Sequence, residues 1–343
     1  MRLFIAIGGL VVALLIAALV APLFIDWTSW RTSFEAEASR LIGQKVEVRG
    51  EAHARLLPFP SLTFTDVTVG EPGHGEASMT LDSFRMDAEL APYLSGEIRI
   101  FQMELGRPHL TVPYGAGSRP PRLAEGLGAG GANVVLENVV ITDGTLSLNN
   151  GSNGQRREFG DIDASFSART LRGPFRGGGT LTNQGERLEF TLSSGTIEDS
   201  GHWPFRIAIL SQRLASSFTL DGATELGDGV ADFTGAVEIA SPAQGLEPVA
   251  DMPVVRATAD VATQNGGAAF QKIRVEVGGG EAPYVLTGDG TLASGPIPHF
   301  SLKLAGEQID IDRLTQDTLE KSGGLTLADR VEAVRRTLRA VPV

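Results

Sequence analysis

The sequence predicts a mainly β protein in which an N-terminal transmembrane helix leads into a long antiparallel sheet, with short amphipathic helices near both ends. Three observations predict it. Residues 3–25 carry no charge, and this run of 23 exceeds the roughly 20 residues that a helix needs to cross a bilayer. Beyond about residue 45, apolar residues recur at every second position, the period of a half-buried strand. Turn residues interrupt that alternation every 8 to 15 residues or so, and no helical stretch of crossover length lies between the strands, which favours a meander over βαβ units.

The first thirty residues set the orientation. Arg2 and the amino terminus precede the apolar run and Asp26 follows it, so the excess positive charge places the start in the cytoplasm and the body across the membrane. Trp27 and Trp30 suit the far interface. A cleaved signal peptide is the competing reading, but its apolar core would be about 7 to 15 residues with small residues at the cleavage site. Cleavage after Ala21 would put Leu19 at the third position back and Pro22 just past the cut, both unsuited. Gly9, Ala13, Ala17 and Ala21 fall at a spacing of four and give one small-residue face on which a second helix could pack closely, although alanine is also simply common in such helices.

The body then changes period. Residues 29–42 read as an amphipathic helix with Trp30, Phe34, Leu41 and Ile42 near one face, stopped by Gly43. Val46 and Val48, Leu62 and Phe64, Val67 and Val69, and Ile98 and Ile100 alternate with polar neighbours. Similar segments span 81–90, 103–112, 134–148, 162–168, 188–192, 205–210, 218–220, 233–239, 254–262, 273–277, 284–292 and 300–304. Gly144, Gly179 and Gly290 each precede Thr-Leu and are expected to open strands, while Asp143-Gly144 and Asp289-Gly290 are hairpin dipeptides. Gly177 to Gly179 and Gly278 to Gly280 lack the lysine and helix of a phosphate loop, so they read as turns or bulges. Leu327, Val331, Val334 and Leu338 mark a second amphipathic helix. The implied division is an anchor at 1–26, a helix and first β unit at 27–114, a loop at 115–132, β units at 133–240 and 241–324, and a terminal helix at 325–343.

Composition removes several function classes. The net charge is −12 and lysine occurs only at Lys45, Lys272, Lys303 and Lys321, which argues against a nucleic-acid partner. The chain has no cysteine, hence no disulfide, thiolate nucleophile or cysteine metal site. His53, His74, His109, His202 and His299 stand in no metal-ligand spacing. Asp161 with Asp163, and Asp310 with Asp312, could pair as carboxylates for acid/base or cation chemistry, but alternation on a solvated strand face explains them better. No GxSxG occurs. The expectation is a protein that is not an enzyme and needs no cofactor.

A sheet with one apolar face must bury that face, either against a second sheet or against something else apolar. The anchor, the helix with Phe34, Leu41 and Ile42, and the segment Gln44-Lys45-Val46-Glu47-Val48-Arg49-Gly50 resemble the opening of the AsmA family. The likeness continues through Leu57-Pro58-Phe59-Pro60-Ser61-Leu62-Thr63-Phe64, Leu90-Ala91-Pro92-Tyr93-Leu94-Ser95-Gly96 and Leu136-Glu137-Asn138-Val139-Val140-Ile141-Thr142-Asp143-Gly144. The resemblance implies a curled, taco-like β-groove that holds acyl chains. It implies a bacterial inner-membrane location with the body in the periplasm, and a part in phospholipid transport and envelope homeostasis, similar to TamB and the bridge-like lipid-transfer proteins. Family members are usually longer, so it also implies a shortened member or the N-terminal part of one. The lipid-groove candidates are Leu62, Phe64, Leu81, Phe84, Met86, Ile98, Ile100, Met103 and Leu105. The expected partners are phospholipid acyl chains and the inner membrane, with other envelope proteins as a further class. The alternative is a non-transporting assembly scaffold or regulator whose body is a closed β-sandwich.

Overall fold

The computed structural model describes residues 31–306 apart from 43, 56, 58, 72–75, 90–97, 115–133, 152–153, 227–231, 250–253, 265–266, 279–282 and 294–298. The expected anchor, its small-residue face, the 115–132 loop and the terminal helix lie outside these residues. Among the described residues no helix is long and apolar enough to cross a membrane.

Among the described residues one helix, α1 (Arg31–Ile42), precedes seventeen strands that join in one sheet. The first six are β1 (Val46–Val48), β2 (Ala52–Arg55), β3 (Ser61–Val69), β4 (Ser78–Ala88), β5 (Ile98–Gly106) and β6 (His109–Tyr114). Next come β7 (Val134–Asn150), β8 (Arg156–Ala168), β9 (Phe175–Asn183), β10 (Glu186–Ser194), β11 (His202–Ser211) and β12 (Ser216–Glu225). The last are β13 (Asp232–Ser241), β14 (Val255–Gln264), β15 (Gly267–Val277), β16 (Tyr284–Ala293) and β17 (His299–Gly306). Neighbours pair antiparallel in chain order from β7 to β17. At the other end β1 and β2 share β3 as partner, and β3 pairs with β4. The substantial contacts between elements are those between paired strands and that of α1 with β1, so the described strands lie in one layer.

The expectation of a wholly antiparallel sheet is corrected at one place. β5 and β6 lie end to end, and both run parallel to β7, with Ile98 opposite Val134 and Tyr114 opposite Asn150. A parallel neighbour cannot be joined by a tight turn, and nineteen residues, 115–133, separate β6 from β7 in the sequence.

The two edges differ. α1 runs along β1 and accepts two of its edge donors: the Val46 N–H donates to Ser39 Oγ at 2.8 Å and the Val48 N–H to Glu35 Oε1 at 2.7 Å. Unpaired edge donors invite foreign strands, and here helix side chains satisfy them. β17, at the far edge, pairs only with β16 among the described strands, and all eight of its residues are exposed.

Several strands hold their alternation through bulges. Asp66, Arg107, Asp143, Asp161 and Lys272 take positive φ, between 46° and 55°, a left-handed conformation that Asp tolerates better than most residues. At Asp66, Asp161 and Lys272 one apolar residue follows another three positions on, as in Phe64 and Val67, Phe159 and Ile162, and Phe270 and Ile273. The register shifts at Asp143, Asp161 and Lys272, the behaviour of bulges. At two of them a neighbouring carboxylate takes up the amide turned out of the ladder. The Asp143 N–H donates to Asp163 Oδ1 at 3.1 Å and the Lys272 N–H to Asp289 Oδ1 at 3.2 Å.

Three expectations are therefore overturned. Asp143-Gly144 and Asp289-Gly290 lie inside β7 and β16 rather than in hairpins. Gly144, Gly179 and Gly290 stand mid-strand rather than opening strands. Gly177 to Gly179 form the middle of β9, because a Cβ at Gly177 or Gly179 would run into the β8 backbone and a Cβ at Gly178 into that of β10.

Candidate functional site

The feature that asks for a function is one face of the sheet. Following direct cross-strand partners from β3, Phe64 faces Phe84, then Leu105, Ile141, Ala164 and Gly179. The row goes on through Phe190, Ile209, Phe218, Ile239, Ala257, Val275 and Leu286 to Gly306 on β17. Every position is apolar or glycine. With strands spaced about 4.8 Å apart, the row is roughly 60 Å long, about twice the thickness of a bilayer's hydrocarbon core.

The neighbouring row, one residue along each strand and so on the opposite face, is largely polar. It runs Thr63, Arg85, Glu104, Val140, Ser165, Gly178 and Thr191, then Ala208, Thr219, Glu238, Thr258, Arg274 and Thr287. β10 shows the contrast most simply: Leu188, Phe190 and Leu192 are half-buried, while Arg187, Glu189, Thr191 and Ser193 are exposed.

Cover on the apolar face is uneven. At the start α1 lies over it, with the Phe34 ring stacked on Phe64 at 4.1 Å. Val46, Val48, Ala52, Phe64, Val67, Val69 and Leu81 form a core there, with Phe34, Ala38, Leu62, Met79, Phe84 and Leu105 packed against it. Towards the other end the side chains open to solvent: Phe218 is 36%, Ile239 46%, Phe300 53% and Leu302 45% exposed. A typical domain covers such a face with a second layer; here the described residues place only α1 over it.

Of the nine groove candidates, Phe64 and Leu81 lie in the α1-covered core and Leu62, Phe84 and Leu105 pack against it. Met86 and Met103 are half-buried cross-strand partners, and Ile100 is buried. Ile98 pairs with Val134 on β7, and its side chain lies outside the described residues. Sequence reasoning placed its candidates on β3 to β5 and missed the long stretch from β7 to β17. The signal was present in alternations such as Phe218, Leu220 and Phe233, Val237, Ile239.

Glycine and aromatic residues share the floor of this stretch. Gly222 and Gly235 are direct partners on β12 and β13, and a Cβ on either would come within 2.8 Å of the tip of the Phe233 ring. The ring thus lies across both glycines and makes up for their missing side chains. Phe205 and Trp203 continue the cluster, at 5.6 Å from Phe233 to Phe205 and 5.2 Å from Phe205 to Trp203.

Charged groups keep to the polar face and the strand ends. His202 Nδ1 lies 2.7 Å from Glu225 Oε1, and the hydrogen bond to this carboxylate holds the imidazole pKa above its ordinary 6.5. Glu186, at the start of β10, is pushed up by burial, but a hydrogen bond from the Ser211 hydroxyl and the Arg213 guanidinium outweigh this and hold it below the usual range. Asp163 and Asp289 serve as bulge clamps. Among the described residues no three His, Asp or Glu side chains gather as metal ligands.

Residues 2–113 match the model of the AsmA family. The AsmA match takes in the apolar run at 3–25, α1 and the strands as far as β6; β7 to β17 extend the same sheet beyond it. No curated protein matches the chain. No solved structure matches it either.

Proposed function

We propose that this AsmA-like chain is an envelope protein that holds phospholipid acyl chains against the apolar face of its sheet and thereby moves or balances lipid between membranes. The observation that carries the reading is the unbroken apolar row from Phe64 to Leu286, over most of whose length the described residues place no second protein layer. Burial yields about 0.8 kcal/mol for each CH₂, so ten methylenes lying on the row gain about 8 kcal/mol before ordering costs. The one-residue alternation of the two faces supports a trough that is oily inside and wet outside.

The uncharged run at 3–25, with Arg2 before it and Asp26 after it, supports a single membrane span with the body outside the cytoplasm. In the type of cell that the family resemblance implies, this is the inner membrane with the body in the periplasm. No catalytic role enters the proposal. A closed-sandwich scaffold would need a second layer over the same face.

The test is lipid carried through purification of the full chain. Mass spectrometry is expected to find phospholipid bound at a defined ratio, and less of it when Ile209, Phe218 and Ile239 are changed together to Asp. A lipid-free protein, or an unchanged lipid ratio in the triple variant, would overturn the proposal.

A further inference from the structure

We infer that the stretch of the apolar face beneath α1 is a latent acyl-binding subsite, and that Phe34 and Ala38 occupy it in the state described. This inference rests on the lipid-holding reading and deepens it.

The covered stretch belongs to the same row as the open one. Phe64, Phe84 and Leu105 lead by direct pairing into Ile141 and on to Phe218 and Ile239. Its chemistry does not change where the cover ends. What changes is the occupant: the Phe34 ring stacks on Phe64, which is only 3% exposed, and Leu81 beside it is 2% exposed. An aromatic ring and a methyl group stand where a hydrocarbon chain would lie.

Among the described residues the cover is one helix of twelve residues. Phe34 and Ala38 are the helix side chains that pack on the core among the described residues. Among the described residues, hydrogen bonds from Val46 N–H to Ser39 and from Val48 N–H to Glu35 tie the helix to the β1 edge. Elements with few apolar contacts and edge hydrogen bonds open most readily. The position also fits. Only residues 26–30 separate the uncharged run from Arg31, so this part of the row lies nearest the proposed anchor. Lifting α1 would join the row to the membrane from which lipid comes.

The absence of cysteine permits a reversible lock. The Val46 N–H lies 2.8 Å from Ser39 Oγ, which bounds the separation of the two Cα atoms at about 7 Å, near the upper limit for a disulfide. The full chain in its membrane would carry Ser39→Cys with Val46→Cys and a photoreactive residue at Phe84 or at Ile239. With the disulfide closed, the lipid crosslink at Phe84 is expected to be lost and that at Ile239 kept; reduction of the same sample should restore the Phe84 crosslink. Phe34→Ala, without the lock, is expected to raise crosslinking at Phe84. Equal crosslinking at Phe84 in locked and reduced protein, with Ile239 still reactive, overturns the latent subsite and leaves the lipid reading intact. Loss at both positions in both states overturns the lipid reading itself, and the subsite with it.

Discussion

If the apolar face is open, two chemically similar truncations should differ sharply in cost. Leu81 is 2% exposed inside the α1 core, whereas Ile239 is 46% exposed on the same face. Leu81→Ala removes a filled core position and leaves a cavity, a change that costs about 2 to 5 kcal/mol. Ile239→Ala removes a side chain that is only about half withdrawn from water. Full burial is worth roughly 1.5 to 3 kcal/mol, so the loss is about 1 kcal/mol, with no cavity because the site opens outwards. The assay is urea unfolding of the lipid-stripped chain held in amphipol without phospholipid, followed by pulse proteolysis. With a slope of about 1 to 3 kcal/mol per molar urea, Leu81→Ala should lower the midpoint by about 1 M or more and Ile239→Ala by about 0.5 M. Equal shifts would mean that the chain's own residues cover Ile239 in the native protein, and the open-face reasoning would fail.

Three further outcomes follow from the same geometry. Asp289→Ala removes the acceptor for the amide that the Lys272 bulge turns outwards; it should cost about 1 kcal/mol, the value of an ordinary hydrogen bond rather than a charge-assisted one because the site is exposed, and should speed amide exchange at Lys272. Changing Glu35 and Ser39 together to Ala leaves two β1 edge donors unmet, and light scattering should show more self-association than in the parent. His202 should titrate above 6.5, and Glu225→Gln should bring it back towards that value in an NMR titration. Because the folded-state pKa is raised, the pair's stabilisation is complete below about pH 6.5 and is lost as pH rises through the higher value.

Much of the β architecture was legible because most strands alternate regularly. The strands holding Phe190, Ile209 and Val237 show their inward residues at every second position, and turn residues bound them. Three features were hidden for physical reasons. β9 has three glycines at its centre, which read as a turn because the backbone contacts that exclude side chains there come from β8 and β10. The bulge at Asp143 puts Asp-Gly inside a strand, and only the Asp163 carboxylate on the next strand distinguishes it from a hairpin. The parallel return of β7 beside β5 and β6 depends on which strands meet, and periodicity carries no record of that. The candidate face was half legible. Phe64, Phe84 and Leu105, named from the sequence, stand on its apolar row, but the helix that covers their end and the length of the open remainder depend on packing.

A scan of photoreactive residues along β10, one position at a time in living cells, addresses the central claim most directly. Lipid crosslinks are predicted at Leu188, Phe190 and Leu192 and not at Arg187, Glu189, Thr191 or Ser193, a period of two that matches the pleat. Crosslinks on both faces alike, or on neither, would contradict it.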